Sequence, residues 1–188
     1  NVPFVFSSNG HMFVEFDRFT GLTSAAKPLS EFPAPAEIQT RYEKGLAFEL
    51  EAEAARPLLP PYAGGESVGR YYQDAAIRAV FEKVAKEQET GQPKLALLTL
   101  ATGSGKTFIA VQLLKRIADA GQLGRALFVC DRDELRTQGL AALQNVYGNE
   151  AAEISTGNPQ LNARVVVATY QTLDVDQEGA DASFLLKH

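Results

Sequence analysis

The sequence predicts an α/β fold: a parallel sheet with helices on both faces, preceded by a β-hairpin from a different unit. Two observations carry this expectation. Continuous apolar runs at residues 95–100, 126–130 and 165–168 alternate with stretches of helical periodicity. Strands that are apolar on both faces belong to sheets covered on both sides. Between the first run and the helix after it stands a glycine-rich loop, Ala101-Thr102-Gly103-Ser104-Gly105-Lys106-Thr107.

Taken in order, Val2-Pro3-Phe4-Val5-Phe6 is a β-rich run. After Ser8-Asn9-Gly10, residues Met12, Val14 and Phe16 alternate with His11, Glu15 and Asp17. Two strands around an Asn-Gly turn form a hairpin, because that pair tolerates positive φ. Pro28, Pro33 and Pro35 punctuate residues 27–36 as a connector. A Glu- and Ala-rich stretch over 37–55 is helical in character, and 56–69 is again rich in Pro and Gly. The expected division is therefore residues 1–45 as the end of one domain with its connector, 46–68 as linker, and 69–188 as the α/β domain.

Within that domain, residues 71–88 form a helix with Ala76, Ile77, Val80, Phe81 and Val84 on one face. Residues 95–100 are the first strand. Residues 106–120 form a helix with Ala110, Leu113, Leu114 and Ile117 inward. Residues 126–130 are the second strand, and 133–146 a helix holding Leu135, Leu143 and Val146. Residues 165–168 are the third strand, with a short helix after Thr169.

Composition narrows the function classes. The chain has 188 residues, a net charge of -5 and a pI near 5.1. That balance gives no support to nonspecific nucleic-acid binding, although an acidic average can hide a local basic track. No run is long and apolar enough to cross a membrane. The chain opens on Asn1 without a signal-peptide pattern, as an internal fragment would. One cysteine, Cys130, excludes an intrachain disulfide framework and suits a reducing, cytoplasmic setting.

The loop carries the chemistry. A triphosphate needs a cradle of backbone N–H groups, and Gly103 and Gly105 let the chain curl to supply it. Thr102 and Ser104 complete the cradle. The positive end of the following helix adds to it. Lys106 reaches the β- and γ-phosphates, and the Thr107 hydroxyl ligates Mg²⁺. The strict phosphate-loop pattern would have glycine at position 100, where this chain has Leu100. The alternative is a glycine-rich turn that holds no ligand.

Hydrolysis also needs a carboxylate for Mg²⁺. Asp131, at the end of the second strand, is one candidate and would suit a small-molecule or nucleoside kinase. Its alternative, with Asp133 and Glu134, is helix capping. Asp174, Asp176 and Glu178 read as a solvated loop. If Asp131 caps, the Mg²⁺ carboxylate lies beyond His188. His11 and His188 read as surface residues, and Cys130 as a small core residue.

Three further stretches point to a family. Arg70-Tyr71-Tyr72-Gln73 precedes the loop. Leu127-Phe128-Val129-Cys130-Asp131-Arg132-Asp133-Glu134-Leu135 with Gln138 follows its helix, and Val166-Val167-Ala168-Thr169-Tyr170-Gln171-Thr172-Leu173 comes next. In this order they resemble the early motifs of superfamily 2 helicases and translocases, most closely the R (restriction, motor) subunit of type I restriction enzymes. Ser8-Asn9-Gly10 and Phe32-Pro33-Ala34-Pro35-Ala36-Glu37-Ile38 resemble the junction between that subunit's endonuclease and motor domains. The resemblance implies a partial RecA-like domain after an endonuclease remnant.

It also implies roles. Gln73 would read the adenine edge of ATP, with Arg70 and Tyr72 flanking the base. Arg132 and Thr169, with Gln171, would touch the sugar-phosphate track of double-stranded DNA. For Gln73 the alternative is an ordinary polar residue at a helix start, and for Arg132 a surface ion pair with Asp133 or Glu134. The family implies an ATP- and Mg²⁺-dependent translocase acting with methyltransferase (M) and specificity (S) subunits in a bacterial or archaeal cytoplasm. Its Asp-Glu-x-His box, second RecA-like domain, arginine finger and nuclease residues are absent from these residues, so the chain alone is expected to be inactive. A kinase reading predicts residues 126–130 directly beside 95–100. In a RecA-like sheet the metal-carboxylate strand separates them. A third reading is a non-catalytic interaction fragment with an idle loop.

Overall fold

The computed structural model describes residues 2–60, 70–91, 93–154, 160 and 162–173. Asp174, Asp176, Glu178 and His188, and the Gly-rich part of the expected linker, lie outside the described residues. The chain divides into two compact units, residues 1–97 and 98–188.

In the first unit, β1 (Phe4–Ser8) and β2 (Met12–Asp17) pair antiparallel, Phe4 opposite Asp17 and Ser8 opposite Phe13. Asn9 N donates to Met12 O at 3.2 Å, so the turn pivots on Gly10-His11, one residue later than the expected Asn-Gly. Gly10 has φ +89, the positive value a glycine-first hairpin turn requires. Asn9 stands at the corner, its Oδ1 accepting from His11 N and Met12 N. Short strands β3 (Leu22–Thr23) and β4 (Lys27–Pro28) both pair with β2.

The buried face of β2 is the opposite of the apolar alternation. Phe13 and Glu15 are buried, while Met12 and Phe16 are exposed. Phe13 packs against Phe6 and Phe32. Glu15 is buried because the Arg41 guanidinium grips both its oxygens and also reaches Asp17 at 3.5 Å. The same guanidinium lies 4.4 Å from the Phe4 ring centroid. A paired carboxylate can occupy a core position that an isolated one cannot.

Helix α1 (Pro35–Leu46) starts at a proline, whose fixed φ suits the first helical position, and ends at Ala47 with φ +58. The expected continuation to residue 55 is replaced by a 3₁₀ turn over Glu53–Leu58. Phe48, Ala54 and Ala55, expected in or near a linker, join Phe4, Tyr42 and Ala85 in one core. Ala85 belongs to α2 (Tyr71–Thr90), whose buried stripe Gln73, Ile77, Phe81, Ala85 follows the i, i+4 rule.

The second unit holds α3 (Lys106–Asp119), β5 (Ala126–Cys130), α4 (Asp133–Tyr147), β6 (Ala151–Glu153), β7 (Val165–Thr169) and α5 (Tyr170–Leu173). The three strands are parallel in the order β5-β7-β6. All five residues of β7 are buried. Val165 and Val167 meet Val111 of α3 and Leu143 of α4, while Val166 and Ala168 meet Ile154, Ala163 and Leu173 on the other face. This two-sided burial is what the continuous apolar run predicts. Strand β6 is too short and alanine-rich to show in the sequence.

Two expectations change. Residues 95–100 form no strand, and Leu97 is 91% exposed. An apolar run needs a ladder partner to become a strand, and among the described residues β5 pairs only with β7. Leu135 and Val146 of α4 are exposed, and the helix instead packs through Leu143 and the bare surface at Gly139. A Cβ at Gly139 would stand 2.9 Å from the Phe128 ring.

Candidate functional site

The loop after Leu100 is shaped by its two glycines. Gly103 has φ +77 and Gly105 φ +84, both left-handed, where a residue with a Cβ costs about 1–2 kcal/mol. A side chain at Gly103 would find open space within 4 Å, so conformation, not crowding, demands glycine there. Between them Ser104 folds back, its Oγ donating to Ala101 O at 2.7 Å and its N at 3.3 Å. Gly105 caps α3, and its carbonyl accepts from Ile109 N at 3.0 Å. The first N–H groups of a helix have no acceptor within it. Lys106 and Thr107 stand on that first turn. The Lys106 ammonium donates to Leu100 O at 3.0 Å and Ala101 O at 3.1 Å, bending back over the loop's entry. Thr107 is half-buried.

The Arg70–Gln73 segment lies in the first unit, at the start of α2. Gln73 is 7% exposed, and its Oε1 accepts from Arg70 N at 2.8 Å. Its carbonyl therefore caps the helix, a role the sequence offered as the plain alternative. A carbonyl oxygen has a second lone pair, so capping does not consume its capacity to accept. Arg70 Nη1 donates to the Tyr72 hydroxyl at 3.0 Å, which ties the two base-flanking candidates together. Tyr71 meets Tyr72 edge to face and is 83% exposed.

The carboxyl ends of β5 and β7 bring the other candidates together. Cys130 is paired with Thr169 across the ladder, so Arg132 and Gln171 follow at the same sheet edge. Gln171 Nε2 donates to Asp131 O at 3.3 Å, joining the two strand ends. Arg132 and Asp131 form a loose pair at 3.6 Å with side chains 72% and 62% exposed. This differs from the expected partners Asp133 and Glu134, and so exposed a pair contributes little. Asp131 does not cap α4. Asp133 and Glu134 occupy the first turn, and Asp133 pairs with Arg136 at 3.5 Å.

Thr169 is a further surprise. It is 4% exposed, and its hydroxyl shares a hydrogen bond with the Thr172 hydroxyl at 3.0 Å and accepts from Thr172 N at 3.3 Å. The hydroxyl points into the start of α5, not outward. Tyr170, next in the chain, is the exposed residue. The sequence did not single out Tyr170 or the Thr169–Thr172 pair. A Thr three residues before another Thr at a strand-to-helix turn is the signal that could have found the latter.

Cys130 is buried, its thiol pushed up by burial and 3.5 Å from Ala168 O, as a core residue would be. Among the described residues no group of three or more His, Cys, Asp or Glu could hold a metal. None of their helices is long and apolar enough to cross a membrane. A cavity of about 690 Å³ in the first unit is lined by Phe4, Phe32, Ile38, Tyr42, Leu50 and Arg78, among others, and by none of the sequence-predicted site residues. Because residues 95–100 form no strand, neither the pairing with β5 that a kinase fold requires nor the separation from it that a RecA-like sheet requires is formed among the described residues.

Comparison with known proteins places the chain among relatives. The chain is 29% identical over 188 residues to the type I restriction enzyme EcoAI endonuclease subunit of Escherichia coli, covering 97% of this chain and 22% of that protein. It is 26% identical over 190 residues to the EcoKI endonuclease subunit of Escherichia coli strain K12, covering 92% of this chain and 15% of that one. The chain thus spans no more than about a quarter of either relative, 22% and 15%. Residues 66–188 match the family described as "Type III restriction enzyme, res subunit". The glycine-shaped loop, the partial RecA-like sheet and this match lead to one conclusion: the chain belongs to that helicase-type restriction-enzyme family.

Proposed function

We propose that this chain is the nucleotide-gripping part of an ATP-driven DNA translocase, the R subunit of a type I restriction endonuclease. The observation that carries the reading is the loop at residues 102–107, where two left-handed glycines deliver Lys106 and Thr107 onto the first turn of α3. Thr102, Gly103 and Gly105 supply backbone amides to the phosphates of ATP, and the Ser104 amide joins them by exchanging its bond to Ala101 O. Lys106 supplies charge to the β- and γ-phosphates. The Thr107 hydroxyl is a hard oxygen donor that fits Mg²⁺, an ion that keeps several waters and few protein ligands. When bound, Mg²⁺ neutralises charge on the phosphates. Gln73 reads the base, held between Arg70 and Tyr72.

Arg132 and Gln171, with Thr169 behind them, follow the sugar-phosphate track of double-stranded DNA. Backbone contacts suit a motor that moves through any sequence. In the whole protein, residues 1–45 close an endonuclease domain, 46–68 link it, and 69–188 open the first RecA-like domain. ATP hydrolysis there drives duplex translocation and distant cleavage, in complex with methyltransferase and specificity subunits in the cytoplasm of a bacterium or archaeon.

The test is a titration of the chain with Mg²⁺–ATP, alongside Lys106→Ala. Binding weakened about tenfold or more by the substitution supports the reading, since a charge-assisted hydrogen bond contributes about 1.5–3 kcal/mol. Equal binding by both proteins would show the loop to be idle.

A further inference from the structure

We infer that Tyr42, Glu82 and Arg78 form a clamp that sets the rotation of α2 and so aims Gln73 at the nucleotide base; this rests on the base-reading role proposed for Gln73. The three side chains converge on one atom. The Tyr42 hydroxyl donates to Glu82 Oε1 at 2.7 Å, and Arg78 Nε donates to the same oxygen at 2.8 Å. The Arg78 guanidinium also lies 5.0 Å from the Tyr42 ring centroid. Tyr42 is buried on α1, while Arg78 and Glu82 are one turn apart on α2.

The column 74, 78, 82 runs beside the buried stripe Gln73, Ile77, Phe81, Ala85. Apolar contacts hold that stripe against the core but are tolerant of small rotations. A hydrogen bond is not, because its strength falls steeply with distance and angle. The Tyr42–Glu82 bond is therefore the feature that fixes azimuth. Glu82 lies nine residues beyond Gln73, about 13 Å along the axis. A rotation of about 20° at a side-chain radius of about 5–6 Å moves the Gln73 amide by about 2 Å. That displacement breaks a base-reading hydrogen bond. Tyr42, Glu82 and Arg78 thus act as positioning residues, none touching nucleotide. They also join base reading to α1 and, through the shared core, to the hairpin upstream.

The experiment measures ATPase and GTPase activity of the full-length subunit with Tyr42→Phe, Glu82→Ala, Glu82→Gln and Gln73→Ala. Tyr42→Phe keeps the ring and its packing, and melting curves report whether each variant remains folded. The expected result is an ATP KM raised about tenfold or more by Tyr42→Phe and Glu82→Ala, each of which removes a hydrogen bond made to a charged carboxylate. The kcat and the GTP KM stay within about twofold, and Glu82→Gln, which keeps the acceptor oxygen, behaves as the parent. If Gln73→Ala abolishes the preference for ATP but Tyr42→Phe leaves it intact, the clamp is refuted and the base reading stands. Equal rises in the ATP and GTP KM would also refute it, leaving a merely structural contact. If Gln73→Ala changes nothing, both ideas fall together.

Discussion

Replacing Thr169 with valine separates two roles that its position allows. Valine keeps the branched shape and the buried methyl group and replaces the hydroxyl with a second methyl. That hydroxyl accepts from Thr172 N and bonds the Thr172 hydroxyl, at 3.3 and 3.0 Å. Losing a helix-capping acceptor costs about 1 kcal/mol. Losing the shared hydroxyl bond at a part-buried site costs about 0.5–1.5 kcal/mol more. The sum, about 2 kcal/mol, corresponds to a fall in melting temperature of about 8–15 °C for a unit of this size. Thr172→Val removes the shared bond but leaves the cap, so the double variant should fall short of additivity by about 1 kcal/mol. Circular-dichroism melting of the chain gives the stability, and DNA-stimulated ATPase of the full-length subunit gives the function. A Thr169→Val chain that melts within about 2 °C of the parent, while DNA stimulation collapses, would refute the capping argument. It would put the hydroxyl on the DNA.

Three other predictions follow from the same contacts. The Cys130 thiol, buried and with its pKa pushed up by desolvation, should react with a thiol reagent at pH 8 only as fast as the unit opens; immediate stoichiometric reaction would contradict its burial. Glu43 is held below the usual carboxyl value of 4.5, first by the Leu50 N–H and then by the Gln39 amide. A depressed carboxyl pKa stabilises the fold above the unfolded value, and the contribution is lost as pH falls through the folded one. Melting of the parent should therefore drop more steeply below about pH 4.5 than that of Glu43→Gln. Leu97→Glu should reduce concentration-dependent light scattering without changing the melting temperature, because Leu97 is almost wholly exposed.

Much of the second unit was legible because its signals are local. Val165–Thr169 is buried on both faces, and the run of three valines says so in advance. The loop glycines announced their own geometry. What the sequence could not show were pairings between distant residues. Nothing near Glu15 reveals that Arg41 would neutralise it and reverse the buried face of β2. Nothing near residue 97 reveals that its run would lack a ladder partner among the described residues. The placement of Phe48, Ala54 and Ala55 in a core likewise depends on Phe4 and Ala85, both distant along the chain. At the site, the parallel pairing that aligns Cys130 with Thr169 joins residues distant in sequence, and no local pattern states it. Which way the Thr169 hydroxyl turns was decided by Thr172, a competition between side chain and surroundings that residue type alone leaves open.

The inward bend of Lys106 has a thermodynamic consequence. Its ammonium already has two partners, the carbonyls of Leu100 and Ala101. A phosphate that recruits it must exchange those bonds, so measured affinity understates the intrinsic grip by the fraction of molecules with the lysine swung outward. With one molecule in ten so disposed, the apparent dissociation constant is about tenfold weaker. Any neighbouring change that loosens residues 100 and 101 would then tighten nucleotide binding without touching the nucleotide at all.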